Sequence, residues 1–185
     1  MTTREAFEEV WEKGDYRRGS TAQRLVPFLK QVIPARSTIN DYGSGTGRAD
    51  YLLWALNYQV NMVDFADNAL EDAARSLIGA GLTYTVSPLE ALPADFPIAE
   101  WGICINVLML VDPSMLHAIL SEMRRTCRNL IVEVYDLPDV RLGRNWTTIA
   151  GDAAFWAAEL AKHWPSVESV KSQEHPRRYI TICRS

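Results

Sequence analysis

Three glycines at alternate positions follow an acidic residue in the run Ile39-Asn-Asp41-Tyr-Gly43-Ser-Gly45-Thr-Gly47. The run reads as the end of a strand, a tight turn and the start of a helix. Glycine has no Cβ, so such a turn lets backbone approach a ligand closely. A second acidic residue, Asp64, closes the next strand-like run, Tyr58 to Asp64. A carboxylate at the end of a second strand can hold two ribose hydroxyls. Together the turn and Asp64 describe a site for a nucleoside cofactor.

The glycine spacing narrows the cofactor. A dinucleotide fingerprint is G-x-G-x-x-G, with the pyrophosphate on the helix N-terminus. Here the spacing is G-x-G-x-G, and Arg48 stands where a dinucleotide pattern reserves its third glycine. A nucleotide-phosphate loop, G-x-x-x-x-G-K-[ST], needs a lysine that this turn lacks. Asp41 points the same way: a carboxylate at the mouth of the turn repels a pyrophosphate and welcomes an ammonium or sulfonium.

The stretch D-Y-G-S-G-T-G, followed by V-D-F-A-D-N-A-L, resembles the first two motifs of class I S-adenosylmethionine-dependent methyltransferases. The resemblance covers about Ser37 to the C-terminus. It implies that Gly43, Ser44, Gly45 and Gly47, with Asp41 at the mouth of the turn, line the methionine part of the cofactor. It implies also that Asp64 takes the ribose and that Phe65 packs on the adenine. Two departures stand out. An acidic or amide residue often reads the adenine amine after the third strand of such enzymes; here that loop is Val86-Ser87-Pro88-Leu89-Glu90. Ser87 is then the candidate acceptor and the Leu89 N–H the candidate donor, although Ser-Pro is also an ordinary strand terminator. Before the fourth strand, Trp101-Gly102 replaces the common Phe-Asp. After it, Asn106-Val-Leu-Met, with Asn106 counted among the cofactor residues, is not the Asn-Pro-Pro-aromatic motif of amino-methyltransferases acting on DNA bases. No Pro-Cys dipeptide suits a cytosine-carbon methylase.

The segment Trp11-Glu-Lys-Gly-Asp15-Tyr16-Arg17-Arg18 resembles the segment that folds over the cofactor in some small-molecule methyltransferases. Trp11, Tyr16 and Arg17 are its candidate contacts, with Tyr16 or Arg17 on the methionine carboxylate. The ordinary alternative is a surface cap. Tyr135, Asp136, Asn145 and Trp146 are candidates to line the acceptor pocket, and the segment Asp136 to Gly151 either closes over it or is a plain crossover loop. Methyl transfer is an in-line displacement, so the protein chiefly aligns the reactants and excludes water. A general base is needed only for a protonated, weakly acidic acceptor. No single catalytic residue is therefore compelled.

These residues need elements to hold them. Helices are expected over Thr3–Lys13, Thr21–Val32 (capped by Ser20 and stopped by Pro34), Arg48–Asn57, Asp67 or Asn68 to Leu77, Ser114–Arg125 and Ala153–His163. Strands are expected over Thr38–Tyr42, Tyr58–Asp64, Leu82–Ser87, Gly102–Val107 and Asn129–Tyr135. Two last runs, Val167–Ser172 and Tyr179–Cys183, suit an antiparallel hairpin. Strand–helix alternation predicts an α/β three-layer sandwich with a mostly parallel seven-stranded sheet. The closing hairpin and an N-terminal helical cap complete it. The 185 residues read as one domain, with 1–35 as lid or cap and 36–185 as a Rossmann-like core. Ligands of such sheets sit outside the carboxyl ends of the strands.

Composition agrees with an ordinary globular protein: 48% hydrophobic and 23% charged residues. The net charge of −4 argues against nucleic acid as partner. Arg17-Arg18 and Arg177-Arg178 qualify that argument, because they could converge at the pocket mouth and grip a phosphate or carboxylate on a small acceptor. Three cysteines and three histidines have no metal-like spacing, so no metal site is expected. No run is long and apolar enough to span a bilayer, and the charged N-terminus is no signal peptide, so a cytoplasmic, membrane-free protein is expected. The sequence carries no signal for an oligomeric state. The leading expectation is an S-adenosylmethionine-dependent methyltransferase acting on a small molecule. Alternatives are a non-catalytic S-adenosylmethionine-binding module of a larger assembly, a nucleic-acid methyltransferase and, against the glycine spacing, a nicotinamide oxidoreductase.

Overall fold

Consecutive residues of the central strands are buried on both sides. Ile103 and Cys104, Ile131 and Val132, and Ile182 and Cys183 are each neighbours facing opposite ways, and all are buried. Only a sheet covered on both faces makes such continuous apolar strands stable. The computed structural model describes residues 3–19, 22–141, 144–172 and 175–185. Its sheet contains β1 (Thr38–Tyr42), β2 (Gln59–Asp64), β3 (Leu82–Val86), β4 (Ala99–Ile105), β5 (Cys127–Tyr135), β8 (Ser166–Lys171) and β9 (Arg178–Arg184). The order is β3-β2-β1-β4-β5-β9-β8. The first five strands run parallel; β9 runs antiparallel to β5 and pairs with β8. The order reverses between β1 and β4, which is the switch point where ligands of open sheets bind.

The helices are α1 (Thr3–Glu12), α2 (Asp15–Gly19), α3 (Val26–Val32), α4 (Arg48–Ala55), α5 (Asp72–Arg75), α6 (Leu116–Thr126) and α7 (Ala153–Ala161). Leu29 of α3 and Leu53 of α4 pack with Ile39, Val60 and Ile131 on one face. Leu120 of α6 and Trp156 of α7 pack with Val63, Cys104 and Val132 on the other. A two-stranded ribbon, β6 (Val140–Arg141) and β7 (Arg144–Asn145), occupies the segment between β5 and α7.

Several elements differ from the sequence expectation for definable reasons. The helix expected from residue 21 is a 3-10 turn over Ala22–Leu25, and α3 starts only at Val26. Pro27 lies in its first turn, where a missing N–H costs nothing. Ser20, its expected cap, and Thr21 lie outside the described residues. The helix expected after β2 is broken into a 3-10 turn, Asp67–Ala69, and the single turn α5, and neither begins with a side-chain cap. The Asn68 amide instead donates to the Glu8 carbonyl of α1 at 2.9 Å. β4 stops at Ile105, because Asn106 takes a left-handed φ of 59°, a conformation asparagine tolerates.

Candidate functional site

One cavity of about 920 Å³ opens at the carboxyl ends of the parallel strands. This is at the upper end of the roughly 300–1,000 Å³ usual for small-molecule sites. Gly43, Ser44 and Gly45 line it from the turn after β1, Asp64 and Phe65 from β2, Ser87 and Leu89 from the loop after β3. Asn106 follows β4, and Tyr135 ends β5. Trp11 and Tyr16 come from the N-terminal helices.

The turn is built as its glycines require. Gly45 has a φ of 54°, and a Cβ there would stand 3.0 Å from the Trp11 ring. Gly47 also has positive φ, but its missing Cβ makes room for something else. A Cβ there would meet Ala74 at 2.6 Å and Leu70 at 2.8 Å. Gly47 thus serves the packing of α4 against α5 and does not line the cavity. Asp64 ties the turn to β2: its Oδ2 accepts from the Gly45 N–H at 2.9 Å, and its Oδ1 accepts from the Ala66 N–H at 2.9 Å. Burial raises the Asp64 pKa, and these N–H groups work against the rise. Each carboxylate oxygen keeps a further lone pair for a ligand hydroxyl. Ser87 is oriented by its own hydroxyl, which donates to the Ala91 carbonyl at 3.0 Å and leaves its oxygen to accept from a ligand amine.

Asp41 sits elsewhere than the mouth of the turn. It is 2% exposed, does not line the cavity, and faces the fully buried Asp50 of α4. Burial raises the pKa of both groups, Asp50 to about 7, and the Asp50 charge drives Asp41 higher still. The pair therefore lies behind the turn, with ionisation of both carboxyls disfavoured by burial. Asp41 presents no charge to the mouth.

The helices α1 and α2 cover the cavity through an aromatic cluster. Phe7 meets Phe65 edge-on, with ring centroids 5.2 Å apart, and Trp146 at 4.7 Å. Trp11 and Tyr16 lie 5.2 Å apart. Arg17 does not reach the cavity. Its guanidinium donates to three backbone carbonyls, those of Trp11, Asn68 and Ala69, and so fastens the cover to the loop after β2. Of the proposed acceptor residues, Tyr135 lines the cavity and three others do not. Asp136 pairs with Arg177 at 3.3 Å, exposed Asn145 accepts from the Thr147 N–H, and Trp146 packs behind Phe7.

Two lining residues carry no sequence motif. Asp139 is buried, and its Oδ2 accepts from the Tyr16 hydroxyl at 3.1 Å. Its backbone is held by Trp146 and Thr147, at 2.8 Å and 2.9 Å. Arg178 opens β9. Because β9 is antiparallel, its first residue lies where the parallel strands end, and a search confined to residues after each strand passes over it. The adjacent basic pair was the available signal. Among the described residues, no group of three or more His, Cys, Asp and Glu could hold a metal, and no helix is long and apolar enough to cross a membrane.

No family model matches the sequence, and no curated protein matches it. Solved structures do match the fold. One is a 1,6-didemethyltoxoflavin N1-methyltransferase of Burkholderia thailandensis with bound 1,6-didemethyltoxoflavin and S-adenosylhomocysteine. It is 12% identical over 100% of this chain and 92% of its own, with a TM-score of 0.70. A TehB-like S-adenosylmethionine-dependent methyltransferase of Corynebacterium glutamicum is 12% identical over 97% and 98%, at 0.69. The magnesium protoporphyrin IX methyltransferase of Synechocystis with bound S-adenosylhomocysteine is 17% identical over 90% and 82%, at 0.64. The chain has the Rossmann-like fold of class I S-adenosylmethionine-dependent methyltransferases: a mostly parallel seven-stranded sheet closed by an antiparallel hairpin.

Proposed function

We propose that this protein is an S-adenosylmethionine-dependent methyltransferase acting on a small molecule. The observation that carries the reading is the joining of the glycine turn to the acidic strand end. The Gly45 N–H and the Asp64 carboxylate meet at 2.9 Å on the wall of one large cavity at the switch point of the sheet. The residues fit the cofactor. The turn keeps the space a Cβ would fill, Asp64 retains acceptor capacity for ribose hydroxyls, and Ser87 has an oxygen for the adenine amine. Phe65 and Leu89 supply apolar surface beside it. Bound there, S-adenosylmethionine would supply an electrophilic methyl group on a sulfonium. Trp11, Phe7 and Tyr16 exclude water above the turn, which favours a displacement between aligned reactants.

Asp139 and Tyr16 are positioned to take up or relay a proton from an acceptor, because their 3.1 Å hydrogen bond lies on the cavity wall. One fold neighbour named above holds 1,6-didemethyltoxoflavin beside S-adenosylhomocysteine, which is in keeping with a second ligand beside the cofactor here. The test is incubation with methyl-labelled S-adenosylmethionine and a metabolite extract, followed by mass spectrometry. A labelled product that disappears with Asp64→Ala supports the reading. Tight cofactor binding with no labelled product from any extract would favour a non-catalytic binding module.

A further inference from the structure

We propose that Arg178 anchors an anionic group, a carboxylate or a phosphate, on the second ligand of this cavity. The proposal rests on the reading of that cavity as a methyl-transfer site and assigns the chemical class of its acceptor.

The first argument is position. Asp64 ends β2, and Arg178 begins β9. The sheet order β2-β1-β4-β5-β9 puts four strand spacings between them. At about 4.8 Å per spacing this is about 19 Å. Both residues line one cavity. A nucleoside ligand held at Asp64 and the glycine turn therefore occupies the β2–β1 end, and Arg178 stands at the end left for a second molecule.

The second argument is preorganisation. Glu133 of β5 is fully buried, and its Oε2 receives two guanidinium groups. Arg24, from the turn before α3, makes the close hydrogen bond; Arg178 Nη1 stands 3.9 Å away. The strand register sets Arg178 directly across from Tyr135, and its guanidinium carbon lies 5.7 Å from the centroid of that ring. A buried carboxylate and an aromatic ring thus flank the guanidinium on the wall. A guanidinium fork matches the two oxygens of a carboxylate or phosphate. The neighbouring cations are turned elsewhere: Arg177 pairs with Asp136, and Arg4, on the wall contributed by α1, pairs with Glu8. The Tyr135 ring next to the fork favours a flat anionic molecule.

The experiment titrates the protein with benzoate, phenyl phosphate and neutral benzamide, with and without saturating S-adenosylhomocysteine. Binding is read by calorimetry and ligand-observed magnetic resonance, and folding by thermal melts. At least one anion should bind tenfold or more tighter than benzamide; which anion leads distinguishes a carboxylate from a phosphate acceptor. Arg178→Gln should erase the preference and leave S-adenosylhomocysteine affinity unchanged, and Arg178→Lys should keep part of it. Arg184→Gln, at the far end of β9, should keep all of it. Equal binding of benzoate, phenyl phosphate and benzamide, or a preference that survives Arg178→Gln, overturns the anchor. So does a loss of S-adenosylhomocysteine affinity in Arg178→Gln, which would give the arginine to the cofactor. A parent protein that binds no S-adenosylhomocysteine sinks the methyltransferase reading instead. The anion titrations without it still decide whether Arg178 grips an anion.

Discussion

Asp64 is asked to do two things, and a pair of substitutions separates them. It braces the glycine turn through Gly45 and Ala66, and it offers remaining lone pairs to a ligand. Asp64→Ala should lose charge-assisted bonds of roughly 1.5–3 kcal/mol each, hence about tenfold or more in S-adenosylhomocysteine affinity for each bond. Asp64→Asn keeps one acceptor oxygen and should lose less. Calorimetric affinity unchanged in Asp64→Ala contradicts the ribose role. The Asp41–Asp50 pair gives a second prediction with a definite sign. Both groups have folded pKa values above the unfolded value of about 3.9. The native state therefore retains protons that the unfolded chain has released, so the Asp50 contribution to stability is lost as pH rises from about 4 towards about 7, where Asp50 itself ionises. Asp50→Asn should reduce that slope, leaving the part due to the burial of Asp41, and gain on the order of 1–3 kcal/mol at pH 8 relative to the parent. Denaturant melts between pH 4 and pH 8 check it. Parallel curves for parent and variant would mean the pair is not holding its proton.

At the scale of elements, Arg17 ties the cover formed by α1 and α2 to the loop after β2. Arg17→Ala removes three hydrogen bonds to carbonyls and should cost about 1–3 kcal/mol of stability. Amide exchange across residues 3–19 should accelerate while β1 and β4 keep their protection. Uniform exchange in parent and variant would dismiss the staple. What was legible in the sequence divides along the same line. β1, β2 and their following turns were readable, because glycine spacing, apolar runs and a terminal carboxylate are local signals. The hairpin of β8 and β9 was readable from two apolar runs flanking a Pro-containing turn. α5 was not, because Asn68 has the residue type of a cap and spends its side chain on a distant helix. Asp41 was read correctly as acidic and incorrectly as facing the mouth, since its partner Asp50 lies one helix later and no pattern links the two. Asp139 reaches the cavity through tertiary turns, which a linear spacing does not encode, whereas Arg178 was flagged by its basic pair, of which Arg178 alone lines the cavity.

The whole molecule carries a net charge of −4 and presents its large cavity beneath a thin helical cover. An enzyme acting on nucleic acid would neutralise several phosphates, and its affinity would fall steeply with salt. We therefore predict no appreciable binding to duplex DNA or tRNA at physiological salt in a filter-binding titration. Tight, salt-sensitive binding abolished by arginine-to-glutamate changes would point to a nucleic-acid methyltransferase. The central claim, that the joined glycine turn and Asp64 form an S-adenosylmethionine site, is tested most directly by calorimetric titration with S-adenosylhomocysteine beside NAD. The account predicts saturable one-to-one binding of S-adenosylhomocysteine, weakened by Asp64→Ala, and no heat from NAD. Saturable binding of NAD with none of S-adenosylhomocysteine would contradict it.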